Sequence, residues 1–108
     1  QNTPSISWTR LENSSVQGTP DLLAYNKKEH FFTVELKVAK HNKVKISPHQ
    51  ISFHLRHPSN SFILVKAISC GRLKLYEGKE IQSLVASGLK LKPLAEGLED
   101  CLKVFEKV

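Results

Sequence analysis

Pro20-Asp21-Leu22-Leu23-Ala24-Tyr25 and, after a polar Asn26-Lys27-Lys28-Glu29, Phe31-Phe32-Thr33-Val34-Glu35-Leu36-Lys37-Val38 form the stretch whose reading decides the fold. The second segment reads as a strand. Its period of two puts Phe31, Thr33, Glu35 and Lys37 on one face, and Phe32, Val34, Leu36 and Val38 on the other. Asp21 to Tyr25 is a second apolar run, and the polar residues between the two predict an antiparallel hairpin. If Tyr25 pairs with Phe31, Asp21 falls opposite Glu35 on the face that also carries Lys37.

Carboxylates directly opposite each other in an antiparallel pair have Cβ atoms about 4.5–5.5 Å apart and repel. A divalent cation such as Mg²⁺ or Mn²⁺ would compensate them, since hard cations take oxygen ligands from one or two carboxylates and leave the other positions to water and phosphate. Lys37 beside such a cation is placed to hold an attacking water or to neutralise charge developing on a phosphorane. The plainer reading of the same residues is a hairpin with solvent-facing charges in a slightly different register.

Working outward, Ser47-Pro48 reads as an N-cap followed by proline at the first helical position, opening a helix that runs to about Arg56 and ends at His57-Pro58. Gln50, Phe53, His54 and His57 lie along one side of it. Ser61 to Ser69 is nearly all apolar and reads as a central strand covered on both faces. Val44 to Ile46 reads as a short strand, and Leu73 to Tyr76 as another. Lys79 to Ser87 reads as a helix closed by Gly88. The start of the chain reads as an irregular arm to Ser7, then a short helical segment near Trp8 to Asn13. Near the other end, Leu94, Leu98, Cys101, Leu102, Phe105 and Val108 form an apolar stripe at helical spacing, suited to packing on its own domain or on a second subunit.

The segment from about Arg10 to Ile68 resembles the PD-(D/E)xK nuclease superfamily, and within it the small phage-type and virus-type replication-repair (VRR-NUC-like) and Holliday-junction-resolvase-like nucleases. Arg10-Leu11-Glu12-Asn13, Gly18-Thr19-Pro20-Asp21, Val34-Glu35-Leu36-Lys37-Val38 and Ser47-Pro48-His49-Gln50 carry the resemblance. It implies an α/β, restriction-endonuclease-like core: a central mixed β-sheet flanked by helices, with a C-terminal helical extension. It also implies a metal site using Asp21, Glu35 and the backbone carbonyl of Leu36, a catalytic Lys37, an additional acid at Glu12 and a Gln50 lining the same cleft. The segment around Glu12 is short for the family pattern, and the last third of the chain has no recognised counterpart.

At 108 residues the chain has single-domain length, enough to bury roughly 60–70 % of its unfolded surface without disulfides. We expect one nuclease domain over residues 1–108, with a core at about 8–77 and the helical extension at about 79–108. Cys70 and Cys101 read as reduced, buried small hydrophobes. Gln1 at the start points to processing, trimming or a fragment. No apolar run reaches membrane-span length, so the expectation is a soluble intracellular protein, viral or cellular.

Net charge is +6, and the excess of lysine and arginine concentrates between Lys27 and Lys74. Lys40, His41, Lys43 and Lys45 follow directly on the Glu35-Lys37 strand, where a flexible cationic loop would meet phosphates. The five histidines lack the i, i+4 pairing of a helical zinc site, and are expected to face nucleic acid or solvent.

The expected activity is therefore a divalent-metal-dependent endonuclease acting on DNA, branched or junction DNA above all, and working as a homodimer. A non-catalytic basic nucleic-acid-binding module and an RNA endonuclease using the same site are the alternatives.

Overall fold

The computed structural model describes residues 4–11 and 18–108. Six strands form one mixed sheet in the order β1-β2-β3-β4-β5-β6: β1 Ile6–Arg10, β2 Leu22–Asn26, β3 Phe31–Ala39, β4 Ser61–Ala67, β5 Arg72–Glu77 and β6 Ala95–Glu96. The chain turns antiparallel at every junction except one. From β3 it crosses through helix α1, Pro48–Arg56, to return parallel as β4, with Glu35 beside Ile63 and Lys37 beside Val65. A parallel neighbour requires such a crossover, and the α1 segment supplies it. Helix α2, Ile81–Ser87, joins α1 on one face of the sheet, and α3, Leu98–Lys107, covers the other.

The two cores follow from strand alternation. Phe32 and Val34 point toward α3, where they meet Ala24, Phe62, Leu64, Leu75, Cys101 and Phe105. The alternate residues of β3 and β4 point toward α1 and α2, where Ala39, Ile63 and Val65 join Val44, Tyr76, Ile81 and Leu84. Glu35 and Lys37 belong to that second face. The expected α/β class, with helices on both faces of a mixed sheet, is the observed one.

Several local expectations are corrected. Ile6–Arg10 is a strand paired antiparallel with β2, where an arm and then a helical segment were expected. Its alternation, with Ile6 and Trp8 packed in the core and Ser7 and Thr9 exposed, is a period of two that the surrounding polar residues obscure. The rest of the expected helix, Glu12 and Asn13, lies outside the described residues. Val44 to Ile46 joins no strand of the sheet, and Val44 inserts into the core instead. The helix expected from Lys79 begins as a 3-10 turn, Gly78–Glu80, before α2. Cys70 is exposed, and Cys101 alone is buried.

The C-terminal stripe divides. Leu94 precedes β6 rather than joining α3, because Leu94 N–H and Gly97 N–H donate to Leu75 and Leu73 carbonyls and draw this segment onto the sheet edge. Cys101 and Phe105 are buried against the protein's own sheet, and Leu102 packs beside them, whereas Leu94 and Leu98 stay exposed. The Ser61 to Ser69 segment, expected as a central strand, is buried on both faces except at Lys66 and beyond Ala67.

The β2–β3 turn clamps the last turn of α3. Asn26 is buried, and its Nδ2 donates to the carbonyls of Phe105 and Val108 at 2.9 and 3.1 Å while its Oδ1 accepts from the N–H groups of Lys28 and His30. One side chain thus satisfies the orphan carbonyls of a helix end and shapes the hairpin. Asn26→Ala leaves these groups unsatisfied in the interior, and is expected to lower unfolding free energy by about 2 kcal/mol, measured by urea denaturation.

Candidate active site

Asp21 sits at the bend just before β2. The register Leu22–Val34 brings it beside Glu35, and its Oδ2 accepts from the Leu36 N–H at 2.8 Å. The strand β2 ends here, so the β3 edge at Leu36 is held by a carboxylate instead of a backbone partner. Leu11 N–H donates to the Asp21 carbonyl at 2.9 Å, tying the end of β1 to this bend. Glu12 itself lies outside the described residues.

Helix α1 is aimed at the same point by its cap. Ser47 Oγ accepts from Gln50 N–H, and Gln50 Oε1 accepts from Ser47 N–H at 3.1 Å, a reciprocal box that fixes the first turn. The same Gln50 amide then faces β3. Its Oε1 also accepts from Lys37 Nζ at 2.9 Å, and its Nε2 donates to Glu35 Oε2 at 2.9 Å. Asp21, Glu35, Lys37 and Gln50 therefore converge, with Leu36 between them.

The electrostatics at this point are unbalanced. Glu35 is 2 % exposed, and its Oε1 is buried with no hydrogen-bond partner among the described residues. Burial, and then the adjacent Asp21 carboxylate, push the Glu35 carboxyl up to about 8 against the opposing pull of Lys37. Lys37 alone does not neutralise the pair. Two close carboxyl groups and an orphaned buried oxygen suit a hard divalent cation, which takes oxygen ligands and leaves positions for water and phosphate. Among the described residues no group of three or more His, Cys, Asp or Glu gathers as a metal cluster, so the protein's own donor set here is small.

Beyond β3, the segment from Lys40 to Ile46 carries Lys40, His41, Lys43 and Lys45 around a cleft of about 370 Å³. It is anchored rather than loose. Asn42 donates from Nδ2 to the Ser87 carbonyl at 3.0 Å and accepts from Leu89 N–H at 2.7 Å, while Val44 is buried. Gly88, at φ +62°, sits so close to Asn42 that a Cβ would collide with the Asn42 carbonyl. Sequence reading missed this tie, whose only local signal is an Asn and a Gly far apart in the chain.

His54 also departs from expectation. It is fully buried, and its Nδ1 lies 2.9 Å from Ser61 Oγ, which in turn donates to the His57 carbonyl. Burial first, with the charges of His57 and Lys37, pushes it down to about 4, so the ring is neutral at pH 7. Its burial follows from its seat against Ser61 of β4, which helical spacing alone does not reveal.

Carboxylates on a β-hairpin, a lysine two residues on and a glutamine from the crossover helix of a mixed sheet make up the arrangement of the PD-(D/E)xK nuclease superfamily. Residues 10–103 match the family model of the archaeal Holliday junction resolvases (Hjc), and the chain belongs to that family. It is thus a nuclease, a hydrolase of this superfamily. No match was found among curated proteins or among solved structures. Among the described residues no helix is long and apolar enough to cross a membrane.

A raised carboxyl makes a stability prediction. Glu35 binds its proton more tightly folded, at about 8, than at its ordinary 4.5, so metal-free stability is expected to fall as pH rises from about 5 to 8. Glu35→Gln removes that slope. Thermal denaturation of both forms across this range, without divalent ions, checks it; equal slopes would show that Glu35 is not the group responsible.

Proposed function

We propose that this protein is a divalent-metal-dependent endonuclease that cleaves branched DNA, four-way junctions above all. The observation that carries the reading is the unneutralised Asp21–Glu35 pair facing Lys37 and Gln50, in a chain of the junction-resolvase family. Asp21, Glu35 and the Leu36 carbonyl would hold Mg²⁺ or Mn²⁺. The carbonyl qualifies because N–H and C=O of one strand residue address the same neighbour, and the Leu36 N–H already addresses Asp21. A bound cation supplies positive charge against which a water can lose a proton and a phosphorane can form.

The side chains do the rest. Lys37, held by Gln50 Oε1, presents an ammonium beside the carboxylates, where it orients the attacking water and offsets charge building on the phosphate oxygens. Gln50 keeps Glu35 turned so that only Oε2 is engaged from the protein side. Lys40, His41, Lys43 and Lys45 bind flanking phosphates from an anchored loop, so the backbone is placed before chemistry begins. Glu12 is proposed as a further acid near the bend at Asp21.

Symmetric incision of a junction needs two sites, and one chain carries one, so we propose a homodimer. With Cys101 and Phe105 of α3 spent on the core, an exposed aromatic pair near the site is Tyr25 and Phe31, ring centroids 4.5 Å apart. It continues to Phe53 and His57 around a small cleft that also includes Leu23. This is the contact surface we assign.

Asp21→Asn, Glu35→Gln and Lys37→Ala are expected to abolish cleavage of four-way junctions in Mg²⁺ or Mn²⁺, while junction binding survives in gel-shift assays. Near-normal cleavage by the two carboxylate variants would overturn the metal site. A chain that binds junctions without cutting them in either ion would instead be a basic binding module, and preferential cutting of RNA would move the substrate class.

Lys43→Ala and Lys45→Ala are expected to weaken binding, each lowering the salt slope by about one unit, with turnover at saturation retained. Phe31→Glu is expected to shift sedimentation from dimer to monomer and to remove paired incisions. Wild-type protein that sediments as a monomer would remove the dimer from the proposal and leave the nuclease.

A further inference from the structure

Three buried polar atoms on the α1 face lack hydrogen-bond partners among the described residues: Glu35 Oε1, Thr33 Oγ1 and His54 Nε2. Strand and helix geometry bring them together. Thr33 and Glu35 are successive residues on one face of β3, and Thr33 is registered beside Ser61 of β4, the residue that holds His54. Along α1, His54 follows Gln50 by one turn, and Gln50 is bonded to Glu35. One helical turn, about 5.4 Å, nearly matches the two-residue rise of the strand beneath it, so His54 stands over Thr33 as Gln50 stands over Glu35.

The tautomer is fixed by its neighbours. Ser61 has one hydroxyl proton and gives it to the His57 carbonyl at 2.6 Å, so Ser61 Oγ must accept from His54 Nδ1–H. His54 Nε2 is left as a bare acceptor. Glu35 Oε1 is an acceptor when ionised, and Thr33 Oγ1 can donate. Two acceptors and one donor are the complement of a water molecule, which offers two hydrogens and accepts at its oxygen. Of the three residues, Thr33 also borders a cleft of about 70 Å³, with Phe31, Phe53 and His57.

We infer that His54 is a positioning residue for Glu35, acting through one buried water that donates to His54 Nε2 and Glu35 Oε1 and accepts from Thr33 Oγ1. The bridge fixes the second carboxylate oxygen as Gln50 fixes the first, and leaves Oε1 a lone pair for the cation. The consequence for cation affinity rests on the proposed metal role of Glu35; the bridge itself does not. Partners that orient a ligating group typically change metal affinity by roughly 10- to 100-fold when removed.

Two measurements test it. A high-resolution crystal structure of the metal-free protein at about pH 9, where Glu35 is ionised, should show a water within hydrogen-bond distance of all three atoms; a dry gap, or His54 Nε2 bonded elsewhere, overturns the bridge. Calorimetric titration with Mn²⁺ should show weaker binding, by roughly tenfold or more, for His54→Asn and for the isosteric Thr33→Val. The asparagine keeps a donor for Ser61 but has no acceptor where Nε2 stood. His54→Gln, which returns an acceptor to that distance, should recover most of the affinity. Wild-type affinity in both weakened variants overturns the positioning role, and Thr33→Val alone decides it should His54→Asn fail to fold. Absence of Mn²⁺ binding by the wild-type protein would instead remove the cation reading and, with it, the positioning role, leaving the crystal map to judge the bridge.

Discussion

The amide of Gln50 is the interaction on which the arrangement depends. It closes the capping box of α1 through Ser47, receives the Lys37 ammonium and donates to Glu35. An amide suits all three tasks because it offers an acceptor with two lone pairs and a donor in one rigid plane. A carboxylate in its place would add a third negative group to a pair already in conflict, and an aliphatic residue would release both β3 side chains. Because the box also marks where the cationic segment ends, the helix start, the lysine, the buried carboxyl and the loop are fixed relative to one another by one side chain.

Around that point the fold holds charges that would otherwise drive it apart. Glu35 lies beneath α1 beside a second carboxylate, and burial and that neighbour push its carboxyl up to about 8, so ionising it there is costly. The cost is met elsewhere: strands β3 and β4 are packed on both faces by separate apolar clusters, and the turn leading into β3 is locked to the end of α3 by Asn26. A strand so constrained cannot swing Glu35 toward solvent. The site is therefore pre-organised by the core as well as by the Gln50 amide.

Much of this was legible in the chain before any coordinates. The alternation of Phe31 to Val38, the turn chemistry before it and the Ser47-Pro48 cap are short-range signals, and they set the hairpin register and the start of α1. Together they bring Asp21, Glu35, Lys37 and Gln50 into one neighbourhood. The first strand was not legible, because five residues of alternation around Trp8 look no different from an irregular arm until β2 offers them a partner.

What the sequence by itself determined, then, is which residues share a face and where elements begin, since those depend on backbone periodicity and on hydrogen bonds a few residues apart. Tertiary structure alone decided that Val44 enters a core instead of a sheet, that Asn42 is tied at Gly88, that His54 is buried against Ser61, and that α3 buries Cys101 and Phe105 on its own domain. Each of these joins segments distant in sequence, and each depends on which edges and faces remain open once the sheet has formed. No local pattern encodes that competition.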